Sequence, residues 1–304
     1  ILNGLDSLPA KPAGAAITVG NFYAIHRGHQ KLIASVRSHA AEAGLVPTVV
    51  TFEPHPQKVL HGEAPCLLIA PGEKLKLMEE AGVGQVLVLP FTKAFSRTEP
   101  EQFVEDVLMR LNMKALVVGA DFRFGRFARG DATMLRSYSA AHGFVFESVR
   151  LAESAGRRIS STEIRHALQA GDLRWANRAL GRPFGLTGRV VHGSGRGAAK
   201  LGYPTANIKP PKGVCVPADG IYAGRLISGK LNRPAAISVG RNAMFGEKAR
   251  TIEAFALDYK GSLYGKQVRF EFVSRIRDHV AFGGPEALKE AIGLDVARVR
   301  RLVR

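Results

Sequence analysis

At 304 residues the chain exceeds the ~250 residues at which a single core usually stops growing, so two domains are expected. An apolar fraction of 46% beside a charged fraction of 23% excludes a largely disordered chain, and no apolar run approaches the ~18 residues of a helical membrane span. Lys and Arg number 43 against 26 Asp and Glu, a net charge of +17 that points to an anionic partner.

That charge is scattered rather than gathered into a stripe. Its densest runs are Arg123 to Arg129, Arg157–Arg158 and Arg298 to Arg304, and the last has no interleaved aromatic platform of the kind single-strand binders use. Nucleic acid is therefore disfavoured and a small polyphosphate suits the excess as well. Cys66 and Cys215 are far apart and lack Cys-x-x-Cys spacing, so two reduced, buried thiols are expected, in a cytoplasmic protein with no membrane association.

In chain order, Ile17 to Val19, Val46 to Phe52, Val86 to Pro90, Ala115 to Gly119 and Phe144 to Val149 are apolar, β-branched runs that read as buried strands. Amphipathic stretches alternate with them: Lys31 to Ala43 with Gly44 as its cap, Lys74 to Ala81, Glu101 to Leu111 and Thr133 to Ala141. This alternation predicts crossover units on a parallel sheet, an α/β Rossmann-like domain with its site at the carboxyl ends of the strands. A further helix is expected over Asp172 to Leu180. Beyond Pro183 the rhythm changes to strands without intervening helices: Leu186 to Val191, Gly220 to Ile227, Ala235 to Val239, Thr251 to Asp258 and Gln267 to Ile276. These predict a small β-barrel, followed by a C-terminal helix at Pro285 to Val303. Domains of 1–181 and 182–304 follow.

The stretch ITVGNFYAIHRGHQ, Ile17 to Gln30, is a strand, a turn holding Gly20, Asn21 and Phe22, and a helix start bearing His26 and His29. Three residues apart, the two imidazoles share one helix face beside free N–H groups. They can hold the α-phosphate of ATP while pyrophosphate leaves. Further on, ISSTEIR, Ile159 to Arg165, sets the hydroxyls of Ser160, Ser161 and Thr162 before a helix, where simple N-capping is the structural alternative. Arg165 adds a charged donor one turn later.

His-x-Gly-His after a strand is similar to the signature of the nucleotidylyltransferase superfamily, and ISSTEIR resembles that superfamily's phosphate-binding motif. TFEPHP at Thr51 to Pro56 and VGADFRFG at Val118 to Gly125 resemble stretches of the bacterial FAD-synthesising enzymes. The resemblance implies that His55 and Asp121 lie near the flavin, whereas Phe122 and Phe124 read as core.

In the second half GYPTAN, Gly202 to Asn207, puts Thr205 and Asn207 on one side of an extended chain, and their oxygens can ligate Mg²⁺ beside phosphate. This stretch resembles the riboflavin kinase motif, and the preceding GSGRGAAKLG resembles that family's ATP-holding loop, which implicates Gly193, Arg196, Gly197 and Lys200. The same resemblance makes Glu253 the general base for the ribityl hydroxyl and places Arg277 on the flavin side. Taken whole, the chain resembles the bacterial bifunctional riboflavin kinase/FMN adenylyltransferase family. That implies a nucleotidyltransferase domain followed by a kinase barrel, acting on riboflavin, FMN and ATP with Mg²⁺ and yielding FMN and FAD.

Two departures stand out. Tyr23 and Ala24 replace the family's Asp-Gly before His26, and Asn242 to Phe245 reads Asn-Ala-Met-Phe where the family has Asn-Pro-Thr-Phe. A strained turn at Ala24, with a weakened adenylyltransferase, is the expectation. A flavin- or nucleic-acid-binding regulator on the same fold is the alternative reading.

Overall fold

The computed structural model describes residues 1–150, 152–192, 202–209, 212–240, 250–280 and 282–303. Backbone contacts divide the chain into two units, one of 1–65 with 71–159 and the other of 66–70 with 160–304. Ser160 to Leu180 thus associates with the second unit, ahead of the change of rhythm near Pro183.

In the first unit, β1 (Leu2–Asn3), β2 (Ala15–Val19), β3 (Val46–Glu53), β4 (Gln85–Pro90), β5 (Met113–Gly119) and β6 (Val145–Val149) form a parallel sheet in the order β1-β4-β3-β2-β5-β6. Every residue of β2 is buried, as a central strand covered on both faces requires. Ile17, Val19, Leu87, Leu89, Leu116 and Val118 pack on one face, and Ala16, Ala115 and Val117 on the other, against Val36 and Ala40 of α1 (Arg27–Ala43). Small Ala side chains on that second face leave room for the helix. The chain runs outward from β2 to β3 and β4, then returns to β5 on the opposite side of β2. Such a reversal opens a crevice at the carboxyl ends of the strands.

The remaining α-helices among the described residues of this unit are α2 (Pro56–His61), α3 (Pro71–Glu80), α4 (Pro100–Phe103) and α5 (Ala132–His142). The helix expected over Glu101 to Leu111 is α4 continued through a π turn at Val104–Leu108 and a 3-10 turn at Met109–Leu111. A hairpin of β7 (Glu153–Ser154) and β8 (Arg157–Arg158) closes the unit.

The second unit opens with α6 (Ser161–Gln169) and α7 (Leu173–Leu180), and then builds a closed antiparallel barrel. Its strands are β9 (Phe184–Val191), β10 (Ala206–Lys209), β11 (Gly220–Ser228), β12 (Leu231–Gly240), β13 (Thr251–Ala256) and β14 (Gln267–Arg277), ordered β10-β13-β12-β11-β14-β9. The pairing of β9 with β10 closes the barrel. Phe184, Leu186, Tyr222, Phe270 and Phe272 are buried in this unit, and α8 (Pro285–Leu302) buries Val299 against Ala223 and Leu257.

The cysteines correct an expectation. Cys66 and Cys215 form a disulfide with their Cα atoms 4.9 Å apart and are not two separate thiols. Leu67 and Val214 pair in a parallel bridge, with the Cys215 N–H donating to the Leu67 carbonyl at 2.8 Å. That pairing lays the strap 66–70 beside the segment that leads into β11.

Candidate active sites

The turn after β2 hands the chain to α1. His26 is the helix N-cap, with extended backbone, and its Nδ1 accepts the His29 N–H at 3.2 Å. A ring nitrogen used as an acceptor carries no proton, so in the neutral imidazole the proton lies on Nε2. The His26 and His29 rings stack with centroids 3.7 Å apart and 11° between planes, and Phe22 lies 4.7 Å from His29. Gly28 permits this arrangement, since a Cβ there would stand 3.1 Å from the His26 ring. Gly20 and Asn21 lie in the same turn, and the Gly20 N–H donates to the Val50 carbonyl. Phe22 is fully buried.

The strain expected at Ala24 is not there. The left-handed residues in this turn are Phe22 (φ 52°) and Ile25 (φ 43°), while Ala24 is a buried residue of ordinary φ. Side chains hold Tyr23 in place of the small carboxylate. Its hydroxyl donates to the Glu53 carboxylate at 2.7 Å and lies 3.0 Å from the Phe52 carbonyl. Burial and Glu53 raise the phenol well above its usual pKa. Over the Tyr23 ring sits the ammonium of Lys74, 4.2 Å from the centroid. Lys74 is 6% exposed and donates to Thr51 Oγ1 at 2.7 Å, and Thr51 donates on to the Asn21 carbonyl at 3.1 Å. Burial lowers Lys74 to about 8, with Glu53 opposing the shift.

The Tyr23 ring also meets His55, centroids 5.0 Å apart; His55 caps α2 by accepting the Gln57 N–H. Asp121, just beyond β5, is ion-paired with Arg158. Phe124 is buried in the core and Phe122 packs against it, as the sequence suggests. Sequence reasoning did not anticipate the burial of Lys74, because a lysine in an amphipathic helix reads as a surface residue.

In the second unit Ser160 caps α6, its hydroxyl accepting the Glu163 N–H at 3.2 Å. Ser161 and Thr162 are the first two helical residues, and Thr162 is exposed. Arg165 Nε donates to the Cys66 carbonyl at 2.7 Å, so the disulfide-linked strap and this guanidinium share one neighbourhood.

On the barrel the sequence candidates converge. In β13, Ile252, Ala254 and Ala256 are buried and alternate with Glu253, which therefore lies on the outer face; Asn207 lies between buried Ala206 and Ile208 of β10. Asn207 stands directly opposite Glu253 in the antiparallel register, and Thr205 Oγ1 donates to Glu253 Oε2 at 3.1 Å. A hydroxyl, an amide carbonyl and a carboxylate are hard oxygen donors of the kind Mg²⁺ takes, with phosphate and water completing its shell. No cluster of three His, Cys, Asp or Glu side chains suited to a metal occurs among the described residues. Arg277 is held bidentate by buried Asp295 of α8, at 2.6 and 3.1 Å, with the Phe282 ring 5.5 Å away. Gly193, Arg196, Gly197 and Lys200, and the departure at 242–245, lie outside the described residues.

Comparison with known proteins agrees with both halves of this reading. Residues 8–163 match the FAD synthetase family and residues 180–303 the riboflavin kinase family. The bifunctional riboflavin kinase/FMN adenylyltransferase of Pseudomonas fluorescens is 36% identical, over 99% of this chain and 97% of its own. The enzyme of the same name from Haemophilus influenzae is 35% identical, over 97% and 96%. A crystal structure of a macrolide-efflux protein from Streptococcus pneumoniae superposes with a TM-score of 0.90 at 28% identity, covering 99% of each chain. No helix among the described residues is long and apolar enough to cross a membrane. With a FAD synthetase match on the first part, a riboflavin kinase match on the second, and relatives of matching length that carry both, the chain belongs to the bifunctional riboflavin kinase/FMN adenylyltransferase family.

Proposed function

We propose that residues 182–304 phosphorylate riboflavin to FMN and residues 1–181 adenylylate FMN to FAD with release of pyrophosphate, the two reactions of the family to which the chain belongs. Glu253 takes the proton of the ribityl hydroxyl as it attacks the γ-phosphate of ATP, and Thr205 and Asn207 hold Mg²⁺. Bound there, Mg²⁺ neutralises phosphate charge. In phosphoryl transfer, positioning supplies most of the acceleration, so Glu253 serves chiefly to orient the hydroxyl. The observation that carries this reading is the Thr205–Glu253 hydrogen bond with Asn207 in register beside it.

In the first reaction centre His26, through Nε2, and His29 hold the α-phosphate where charge develops. Gly20, Asn21 and the Phe22 backbone line the nucleotide, and Ser160, Ser161, Thr162 and Arg165 bind its β- and γ-phosphates. His55 and Asp121 contact the flavin. Arg277 faces the flavin of the kinase centre, and Gly193, Arg196, Gly197 and Lys200 hold its ATP. We place the enzyme in the cytoplasm, where ATP is available.

Incubation with riboflavin, ATP and Mg²⁺, followed by chromatography, tests the assignment. FMN and then FAD are expected. Glu253→Gln removes riboflavin phosphorylation and leaves adenylylation of supplied FMN intact; full kinase activity in that variant contradicts the role of Glu253.

A further inference from the structure

We propose that Lys74 is a positioning residue of the adenylyltransferase centre, fixing the turn that carries His26 and His29 through a relay from its ammonium to the Thr51 hydroxyl and on to the Asn21 carbonyl. This rests on the reading of the first unit as the adenylyltransferase. Two contacts tie Lys74 to the turn. One is the hydrogen-bonded relay, at 2.7 and 3.1 Å; the other is the Tyr23 ring, 4.2 Å from the ammonium. They grip the turn at Asn21 and Tyr23, on either side of Phe22, whose left-handed backbone (φ 52°) needs an external hold.

A lysine reaches burial of this depth only against a cost, because desolvation disfavours its charged form. The neighbours that offset it are the Glu53 carboxylate from β3, the Thr51 oxygen and the face of the Tyr23 ring. A donor-only ammonium orients the Thr51 hydroxyl in one sense, since Thr51 must accept from Lys74 and therefore donates to Asn21. A neutral amine offers a lone pair as well, and the sense of the relay is lost.

The titratable groups facing Lys74 are Tyr23 from the turn and Glu53 from β3, with the His55 ring tilted against that of Tyr23. Burial holds the phenol protonated, so the ammonium, lowered to about 8, is the member of the relay that changes charge near neutrality. The relay is intact below that pH and lost as pH rises through it.

The test measures FMN adenylylation and riboflavin phosphorylation on the same preparations of the full chain, from pH 6.5 to 9.5 in steps of about half a unit around the Lys74 value. The parent must first make FAD from FMN; if it does not, the reading of the first unit fails rather than the role of Lys74. Lys74→Met is expected to lower the kcat for adenylylation by about 10- to 100-fold, the scale of an ångström's misplacement of a binding group. Riboflavin phosphorylation stays within about twofold, and the alkaline fall seen in the parent disappears. Thr51→Val breaks the relay without removing the charge and covers the case in which Lys74→Met does not fold. It is expected to lower adenylylation similarly and to weaken the alkaline fall, because the relay whose loss causes that fall is already broken. The double variant is no slower than the slower single one. Adenylylation within twofold of the parent in either variant overturns the proposal, as does an alkaline fall unchanged in Lys74→Met or an equal loss of both activities.

Discussion

The residue that departs most visibly from its family, Tyr23, is accommodated by its neighbours. The sequence reading anticipates strain from Tyr23–Ala24, because a resemblance shows which residue is missing and not what the replacement touches. The phenol finds the Glu53 carboxylate and the Phe52 carbonyl, and its ring becomes the floor beneath Lys74. Tyr23→Phe keeps that ring and removes a hydrogen bond to the exposed Glu53. It is expected to cost no more than ~1 kcal/mol, seen as a small drop in melting temperature, and to leave FAD formation close to the parent. Tyr23→Leu removes the face on which the ammonium rests, and slower adenylylation is expected. Equal activity in the Phe and Leu variants would show that the ring contact has no part in the site.

Among the elements, those with a strong period were legible and those defined by pairing were not. Lys31 to Ala43 announces α1 through its four-residue repeat and Gly44, which does adopt the left-handed cap. The apolar runs of β2 to β6 are equally plain, and the central β2 is buried throughout, as a parallel strand covered on both faces should be. By contrast β10 has four residues and is defined by its partners β9 and β13, and the strap 66–70 is held by a bridge to Val214. No local pattern reveals contacts across that distance, and two cysteines 149 residues apart read as independent. Closing so long a loop restricts the unfolded chain, so the bridge is worth about 2–4 kcal/mol. Cys66→Ser, or treatment with dithiothreitol, should lower the melting temperature of the kinase half. Unchanged melting after complete reduction, verified by thiol titration, would show that the bridge adds no stability.

At the scale of the whole molecule, the chain forms two compact units that divide at residues 159 and 160, ahead of the change of sequence rhythm near Pro183, and each brings together a constellation of candidate residues. His26 and His29 stack in the first; Thr205, Asn207 and Glu253 meet on the barrel of the second. The motif at Ser160 to Arg165 begins the second unit although it resembles a nucleotidyltransferase element, a division that linear sequence does not reveal. If each constellation serves one reaction, the activities are separable and one intermediate, FMN, connects them. The direct measurement pairs Glu253→Gln with His29→Asn and follows FAD formation from riboflavin, ATP and Mg²⁺. His29→Asn should slow adenylylation by about a hundredfold or more while still making FMN, and Glu253→Gln should make none. Neither variant alone is expected to yield appreciable FAD, whereas an equimolar mixture restores it as FMN released by one is consumed by the other. A mixture that remains inactive, or either variant forming FAD at the parent rate, would contradict the assignment of the two reactions to these two sites.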